Sequence, residues 1–490
     1  MIRKKSNKPF YYDLFYYALF QGAPILAGFF SLPLYSSQLS TEQYGHYSLI
    51  MATLNILAIL SINWITVSTI RYYSEFEEGE DQGVLSTISF LALGGTTLLA
   101  GALLFGISLT GLIDIQPFGI ILLMFFLMNV ERLVVSYLKA SRQVKANTMI
   151  KTLYVILRFA LIVVFLLIFD MGIESIFYAN IVGASVTIFL GVYVHGISFS
   201  KFKREDLEKA KEYFSYGVPF IWILGIQWIL TASDRYMLEF MVGTGEMGIY
   251  SLNYSMVQKI MMPLITIFIS TAAPIIFQQA KMADGVGAQK TLNDTFKFFL
   301  LLILPSVMGL SLISQEIGRI FIRNEFQEGI VIIPIIAFSL LFLGIRLYTN
   351  IALEVEKKSK EIGNVAIIAG LSNIGLNLLL IPRFSYVGAS FASLIAYFLY
   401  FVLSYEKTKR LAKIRVQFTG VFIKILISAA AMAPPLLFIQ YFTSLPSVIS
   451  LGLKLLIGIG VYGGCVFGFR LIEIKQIKAL LQKRRANKEV

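Results

Sequence analysis

The chain has 490 residues, of which 57% are hydrophobic and 14% are charged, with a formal net charge of +13. Soluble domains carry about 25% charged residues, and a mean hydropathy of +0.74 is typical of chains that cross a bilayer many times. The composition excludes an ordinary soluble protein, and a single cysteine, Cys465, excludes a disulfide framework and a thiolate metal site.

Fourteen segments of the chain are mainly apolar over roughly 20 residues, the length of a membrane-spanning helix. Of the 42 Lys and Arg residues, 32 lie in the two termini and alternate connections, three lie in the other connections, and seven lie within the spans. Because positive residues stay in the cytoplasm during insertion, this bias predicts fourteen spans with both termini cytoplasmic. It also accounts for the net charge, so we expect no nucleic-acid partner. The spans are centred near residues 25, 58, 97, 128, 158, 186, 229, 264, 303, 341, 372, 396, 430 and 459.

Two stretches of the first half recur in the second half. STEQYGHYSL, after the first span, resembles GTGEMGIYSL, after the seventh, at a shift of 203 that matches Gly45 with Gly248. A second similarity, at a shift of 216, matches Gly172 with Gly388. Six spans is an even number, so both copies start on the same side of the membrane and form a parallel repeat.

The repeat predicts an all-α polytopic membrane protein with two six-helix lobes. The N-terminal lobe covers 1–200, the C-terminal lobe covers 217–405, and 406–490 adds two further helices and a basic cytoplasmic tail. The linker 201–216 is predicted as an amphipathic helix on the cytoplasmic surface, either a simple connector or an element that couples the lobes. Its apolar side chains at helical spacing are Leu207, Ala210, Phe214 and Val218.

Several predicted spans carry polar or ionised side chains. Each ionised one costs about 2.5–3.5 kcal/mol at the bilayer centre on insertion scales, so it is expected to face a cavity or a partner. Asp234 and Arg235 are predicted either to interlock neighbouring helices or to contact a ligand. Lys424 and Lys454, near span ends, are predicted to extend to the membrane surface. The other polar residues are Asn129, Glu131, Arg132, Lys151, Tyr154, Arg158, Gln227, Thr231, Ser251, Ser255, Gln258, Lys259, Arg346, Tyr348 and Asn350.

Three stretches resemble one family of transporters. They are PLYSSQLSTEQYGHYSL (33–49), YFSYGVPF (213–220) and SDRYMLEFMVGTGEMGIYSLNYS (233–255), and they are similar to the polysaccharide-unit, or Wzx-type, flippases of the multidrug/oligosaccharidyl-lipid/polysaccharide exporter superfamily. The resemblance implies two MATE-like lobes facing each other in a V. It also implies a central cavity that carries a polyprenyl-diphosphate-linked oligosaccharide from the inner to the outer leaflet of a bacterial cell membrane.

Charge and hydrogen bonding then assign candidate substrate residues. Guanidinium and ammonium groups in a low-dielectric cavity can desolvate a diphosphate, so Arg158 and Lys259 are predicted to hold it. Amide side chains suit sugar hydroxyls. The remaining candidate residues are Arg235, Asp234, Gln227, Gln258, Asn253, Gln21 and Asn55.

The sequence predicts a transporter rather than an enzyme. The predicted outer connections are short, the chain has only two histidines, and no Gly-Lys pair exists to form a P-loop. We expect no cofactor and no metal, and the inside-negative membrane potential can drive an anionic headgroup outward. Expected partners are membrane lipids, the lipid-linked oligosaccharide, and the polymerase and glycosyltransferases of its pathway. The alternatives are a lipid II flippase and then a multidrug antiporter.

Overall fold

The computed structural model describes Gly22 and residues 26–76, 80–111, 113–204, 206–282, 285–418 and 420–471. Every regular element within these ranges is helical, and none is a strand. The helices are α1 (26–38), α2 (Thr41–Ala58), α3 (Trp64–Tyr72), α4 (Glu80–Thr110), α5 (Phe118–Ala140), α6 (Val144–Leu167), α7 (Glu174–His195), α8 (Asp206–Gly217), α9 (Pro219–Val242), α10 (Thr244–Lys281), α11 (Gly285–Leu312), α12 (Ser314–Phe321), α13 (Asn324–Gln327), α14 (Ile332–Val355), α15 (Ser359–Leu411), α16 (Gly420–Ala430), α17 (Ala433–Phe442) and α18 (Ser447–Gly468).

Twelve stretches of the described chain are helical, long and apolar enough to cross a membrane. This confirms an all-α, multi-pass membrane protein. Eleven of the twelve coincide with one predicted span each, and the twelfth, α15, covers the two spans predicted near residues 372 and 396. Only part of the first predicted span, centred near residue 25, lies within the described residues, so the count of fourteen stays a prediction.

The helix α15 is broken near its middle. Ser385 has non-helical backbone angles, φ 48° and ψ −133°. A Cβ on Gly388 would overlap the carbonyl oxygen of Leu380, although residues eight positions apart are about 12 Å apart along a straight helix. The chain therefore bends sharply between the two predicted spans.

The contacts divide the chain into two compact units. Within the described residues, the first unit contains 26–252 and Gly370–Ala389, and the second contains Asn253–Ala369 and 390–471. Their boundaries differ from those of the predicted lobes, 1–200 and 217–405. The division into two six-helix lobes therefore stays a prediction.

In the first unit, the predicted linker helix is α8, and it packs on α3. The Tyr213 hydroxyl lies 2.7 Å from Oγ1 of Thr69 and donates to the carbonyl of Ile65 at 2.9 Å. Leu207 and Phe214, which the sequence predicts on the apolar face, are exposed. Phe214 still contacts α3, because its ring centroid lies 5.3 Å from that of Trp64.

In the second unit, the segment 412–418 is fixed on α11 by two side-chain amides. Gln289 donates to the carbonyl of Arg415 at 2.7 Å and accepts from its N–H at 2.9 Å. Asn293, one turn along α11, accepts from the N–H of Gln417 at 3.3 Å and donates to its side chain at 3.2 Å. The side chains of α11 therefore hold the connection that leads to α16–α18, mainly through hydrogen bonds to its backbone groups.

The prediction that Lys454 extends to the membrane surface is wrong. Its side chain is 0% exposed, and Nζ lies 2.6 Å from Oε1 of Glu316. Nζ also donates to the carbonyl of Leu312 at 3.0 Å and to Oε1 of Gln440 at 3.2 Å. Three acceptors satisfy the three N–H groups of the ammonium, so the buried charge is compensated inside the second unit. Lys424 is exposed, and its extension to the membrane surface stays a prediction.

Candidate substrate site

A π-helical turn, Ile59–Asn63, interrupts the second predicted span between α2 and α3. In an uninterrupted helix, residues eight positions apart point about 80° away from each other. A π turn takes up one extra residue, which reduces the angle between Asn55 and Asn63 to about 20° at about 100° per residue. The turn therefore aligns two carboxamides on one face of this span.

The guanidinium of Arg132, on α5, lies against both carboxamides. One terminal nitrogen is 3.5 Å from Oδ1 of Asn63, and the other is 3.5 Å from Oδ1 of Asn55. The adjacent Glu131 is within electrostatic range of Arg132 and of Lys151 on α6. Two cations, one carboxylate and two amides thus form one cluster in the first unit, and none of the five is fully buried.

Tyr154 connects this cluster to a third cation. It lies one turn beyond Lys151 on α6, within electrostatic range of both Arg132 and Arg158. Its hydroxyl donates to Oδ1 of Asn180 on α7 at 3.1 Å. A Cβ on Gly183 would come within 2.9 Å of the Tyr154 ring. Glycine at that position lets α7 pack closely enough to fix the ring between the two arginines.

Within the described part of the chain, hydroxyl groups rather than carboxylates lie around Arg158. Its side chain is hydrogen-bonded to Tyr47 and lies within electrostatic range of Tyr35 and Tyr154. Its Nε is buried without a hydrogen-bond partner, and no ion pair in the described part of the chain includes this residue. The residue as a whole is half-buried, and a partly desolvated guanidinium without a counter-charge is unfavourable, so an anion would be stabilised here.

Asp234 links helices α9 and α10 in the first unit. It is 2% exposed, and it accepts hydrogen bonds from the Tyr250 hydroxyl and, at 2.9 Å, from the N–H of Arg235. The guanidinium of Arg235 donates to the carbonyl of Thr231 on its own helix at 2.9 Å. These contacts support the interlocking role for Asp234, whereas Gln227, on the same helix, is exposed.

The candidate residues of α10 lie in the second unit. Asn253 is fully buried, and its amide donates to the carbonyl of Phe326 at 3.0 Å, which is a structural contact. Gln258 and Lys259 are half-buried. Arg158 and Lys259 belong to different units, so their joint binding of one diphosphate stays a prediction. Gln21 lies outside the described residues.

In the second unit, Arg346 packs on an aromatic ring. Its guanidinium carbon lies 4.3 Å from the centroid of Tyr400, and the residue is 6% exposed. Glu354, two turns along α14, is within electrostatic range of it. Arg346 is therefore a packed structural cation rather than an open one.

The sequence did not indicate which side chains surround Arg158. Tyr35, Tyr44 and Tyr47 pack together with ring centroids 5.8–6.1 Å apart. They stand in 33–49, one of the stretches that carries the family resemblance. Helical spacing relates residues within one span, so it gives no sign that these tyrosines meet a cation more than a hundred residues further along.

The chain matches a known family and several known proteins. Residues 11–279 match the family described as polysaccharide biosynthesis protein. The probable flippase AglR of Haloferax volcanii is 24% identical over 350 residues, which are 69% of this chain and 70% of that protein. The probable low-salt glycan biosynthesis flippase Agl15 of the same organism is 21% identical over 63% of this chain and 64% of its own length.

Solved structures match the fold. The lipid II flippase MurJ, in an inward closed conformation, superposes with a TM-score of 0.73 at 17% identity, over 93% of this chain and 100% of that chain. An inward-facing multidrug resistance MATE family transporter gives a TM-score of 0.58 at 12% identity, over 79% of this chain and 95% of its own. These matches confirm the superfamily fold expected from the resemblance. Because the family model covers more than half of the sequence, the chain belongs to the polysaccharide biosynthesis protein family.

Proposed function

We propose that the protein moves a polyprenyl-diphosphate-linked oligosaccharide from the inner to the outer leaflet, by alternating access of two lobes, for cell-surface polysaccharide synthesis. Membership of the polysaccharide biosynthesis protein family supports this function, and so do the two relatives that are named probable flippases. The observation that carries it is Arg158, a half-buried cation with a buried Nε among tyrosines, which forms no ion pair with a carboxylate in the described chain.

The diphosphate is the group that needs such a cation. It carries about two negative charges at neutral pH, and leaving water for a low-dielectric site is unfavourable unless charged donors replace the lost hydration. An arginine with phenolic hydroxyls beside it supplies charge and directional donors together. In this proposal Arg158 holds the diphosphate in the first unit, and Lys259 on α10 is a further candidate cation that is tested separately.

The proposed location is the bacterial cell membrane, with both termini in the cytoplasm. Its proposed partners are the lipid-linked oligosaccharide, membrane lipids, and the polymerase and glycosyltransferases of the same pathway. The orientation can be tested with single cysteines at Lys201 and Gln315 in a Cys465→Ser background. An impermeant thiol reagent added to whole cells should label the cysteine at 315 and spare that at 201. Labelling only at 201 would reverse the orientation.

Flipping in proteoliposomes tests the function directly. The purified protein is reconstituted with a fluorescent polyprenyl diphosphate oligosaccharide, a potential is imposed, and a membrane-impermeant quencher measures the lipid that changes leaflet. Protein-dependent flipping that increases with the potential is the expected result. Faster movement of lipid II than of the oligosaccharide lipid would favour the lipid II alternative. Exchange of cationic drugs for protons or sodium, with no lipid movement, would make the protein an antiporter.

A further inference from the structure

We propose that Asn55, Asn63 and Arg132 form a carbohydrate subsite, which binds the sugar attached directly to the diphosphate. The inference rests on the proposed flippase function and deepens it. It assigns the two ends of the headgroup to different parts of one cluster in the first unit. Arg158 receives the diphosphate, and the π turn between α2 and α3 presents the groups that contact the sugar.

The orientation of the Asn55 and Asn63 carboxamides is the first observation that supports this subsite. Both Oδ1 atoms face the guanidinium of Arg132, at 3.5 Å each. Each carboxamide therefore directs its NH₂ group, with two N–H donors, away from Arg132. Within the described chain, neither NH₂ group has a hydrogen-bond partner. Asn55 is exposed and Asn63 is half-buried, so these donors are accessible to a bound molecule.

The subsite at Arg132 and the subsite at Arg158 differ in their net charge. Arg132 is within electrostatic range of Glu131, so its positive charge is partly compensated. The Glu131 carboxylate would repel a second anion, but it can accept a hydrogen bond from a sugar hydroxyl. Neutral amide donors, one shared guanidinium and one carboxylate match a polyhydroxylated ring. Arg158, which among the described residues has hydroxyls and no carboxylate beside it, matches the diphosphate.

The spacing of the two subsites fits a sugar diphosphate. Tyr154 is within electrostatic range of both arginines, and it stands one helical turn, about 5–6 Å, before Arg158 on α6. A sugar linked directly to the bound diphosphate would therefore reach the Arg132 side of the Tyr154 ring. An aromatic face and a set of donors at one edge are a common combination for holding a pyranose ring.

The test compares two probes in the same vesicles: polyprenyl diphosphate carrying one N-acetylhexosamine, and bare polyprenyl diphosphate. The wild-type protein should flip the glycosylated probe about tenfold faster, because only that probe offers hydroxyl oxygens that accept hydrogen bonds from the free amide donors of Asn55 and Asn63. The double variant Asn55→Ala/Asn63→Ala should lose this preference and flip the bare probe within about twofold of wild type. Gln278→Ala, which removes an exposed amide from α10, is the matched control and should keep the preference.

The other outcomes overturn the proposal in distinguishable ways. A wild-type protein without preference, or a double variant that keeps it, would exclude a sugar-reading subsite and leave the flippase function intact. If the double variant flipped both probes more slowly by the same factor, with an unchanged melting temperature, the amides would only position Arg132. Failure of the wild type to flip either probe would reject the proposed function itself.

Discussion

Gly45 of α2 and Gly248 of α10 contact each other reciprocally. A Cβ on Gly45 would overlap the carbonyl oxygen of Thr244 and lie 3.3 Å from the backbone nitrogen of Gly248. A Cβ on Gly248 would overlap the carbonyl of Thr41 and lie 3.1 Å from the nitrogen of Gly45. The two motifs that align at a shift of 203 therefore pack on each other inside the first unit, and each glycine faces the threonine of the other copy.

Alanine at either glycine should destabilise the first unit. Neither helix backbone can move without disturbing the other, so Gly45→Ala or Gly248→Ala should lower the free energy of unfolding by about 1–3 kcal/mol, the usual range for overpacking. Gly245→Ala is the matched control, because its Cβ would meet its nearest atoms at an ordinary 3.5 Å. Thermal unfolding of the purified variants measures the effect. A stable Gly248→Ala protein would show that the two helices separate easily.

Removal of the Tyr250 hydroxyl should destabilise the α9–α10 contact. Tyr250→Phe leaves the Asp234 carboxylate buried with one acceptor position unfilled, which should decrease stability by about 1–3 kcal/mol. Asp234→Asn should have a smaller effect, because a neutral amide tolerates burial better than a carboxylate. Denaturation curves of the two variants measure which of them loses more stability. If Tyr250→Phe lowered substrate affinity without any change in stability, Asp234 would instead be a substrate contact.

The buried pair of Lys454 and Glu316 should show strong coupling. Lys454→Met leaves an uncompensated carboxylate, and Glu316→Gln leaves an uncompensated ammonium, so each single variant should lose about 3–5 kcal/mol of stability. The double variant should lose clearly less than the sum of the two, because no charge remains buried. Strictly additive losses would indicate that the two groups do not interact in the native protein.

Sequence patterns predicted the membrane class and most spans, because apolar length and loop charge act locally. They failed where distant residues meet. The sequence predicted Lys454 at the membrane surface because it lies near the end of a span. Its acceptors on Glu316, Leu312 and Gln440 come from other helices, which no local pattern indicates. Arg158 was predicted to hold the diphosphate, but its tyrosine surroundings were not predicted. Nor did the sequence indicate the π turn at 59–63, which aligns Asn55 with Asn63.

Lys259 should act through its charge. It is a predicted substrate cation, so Lys259→Ala should reduce flipping at least tenfold. Lys259→Arg should keep a substantial part of the flipping rate, because charge matters more than fork geometry at an ammonium site. Flipping rates in vesicles, normalised to inserted protein, provide the measurement. Equal loss in both variants would indicate a packing role that arginine cannot fill.

The most direct test of the central claim is the flipping rate of Arg158→Gln relative to wild type, with the polyprenyl diphosphate oligosaccharide as substrate. Arg71→Gln, which removes an exposed arginine from the end of α3, is the control. The account predicts that Arg158→Gln inserts and melts normally but loses at least a hundredfold in rate, while Arg71→Gln keeps the wild-type rate. An Arg158→Gln protein that flips the lipid at the wild-type rate would show that this cation does not hold the diphosphate.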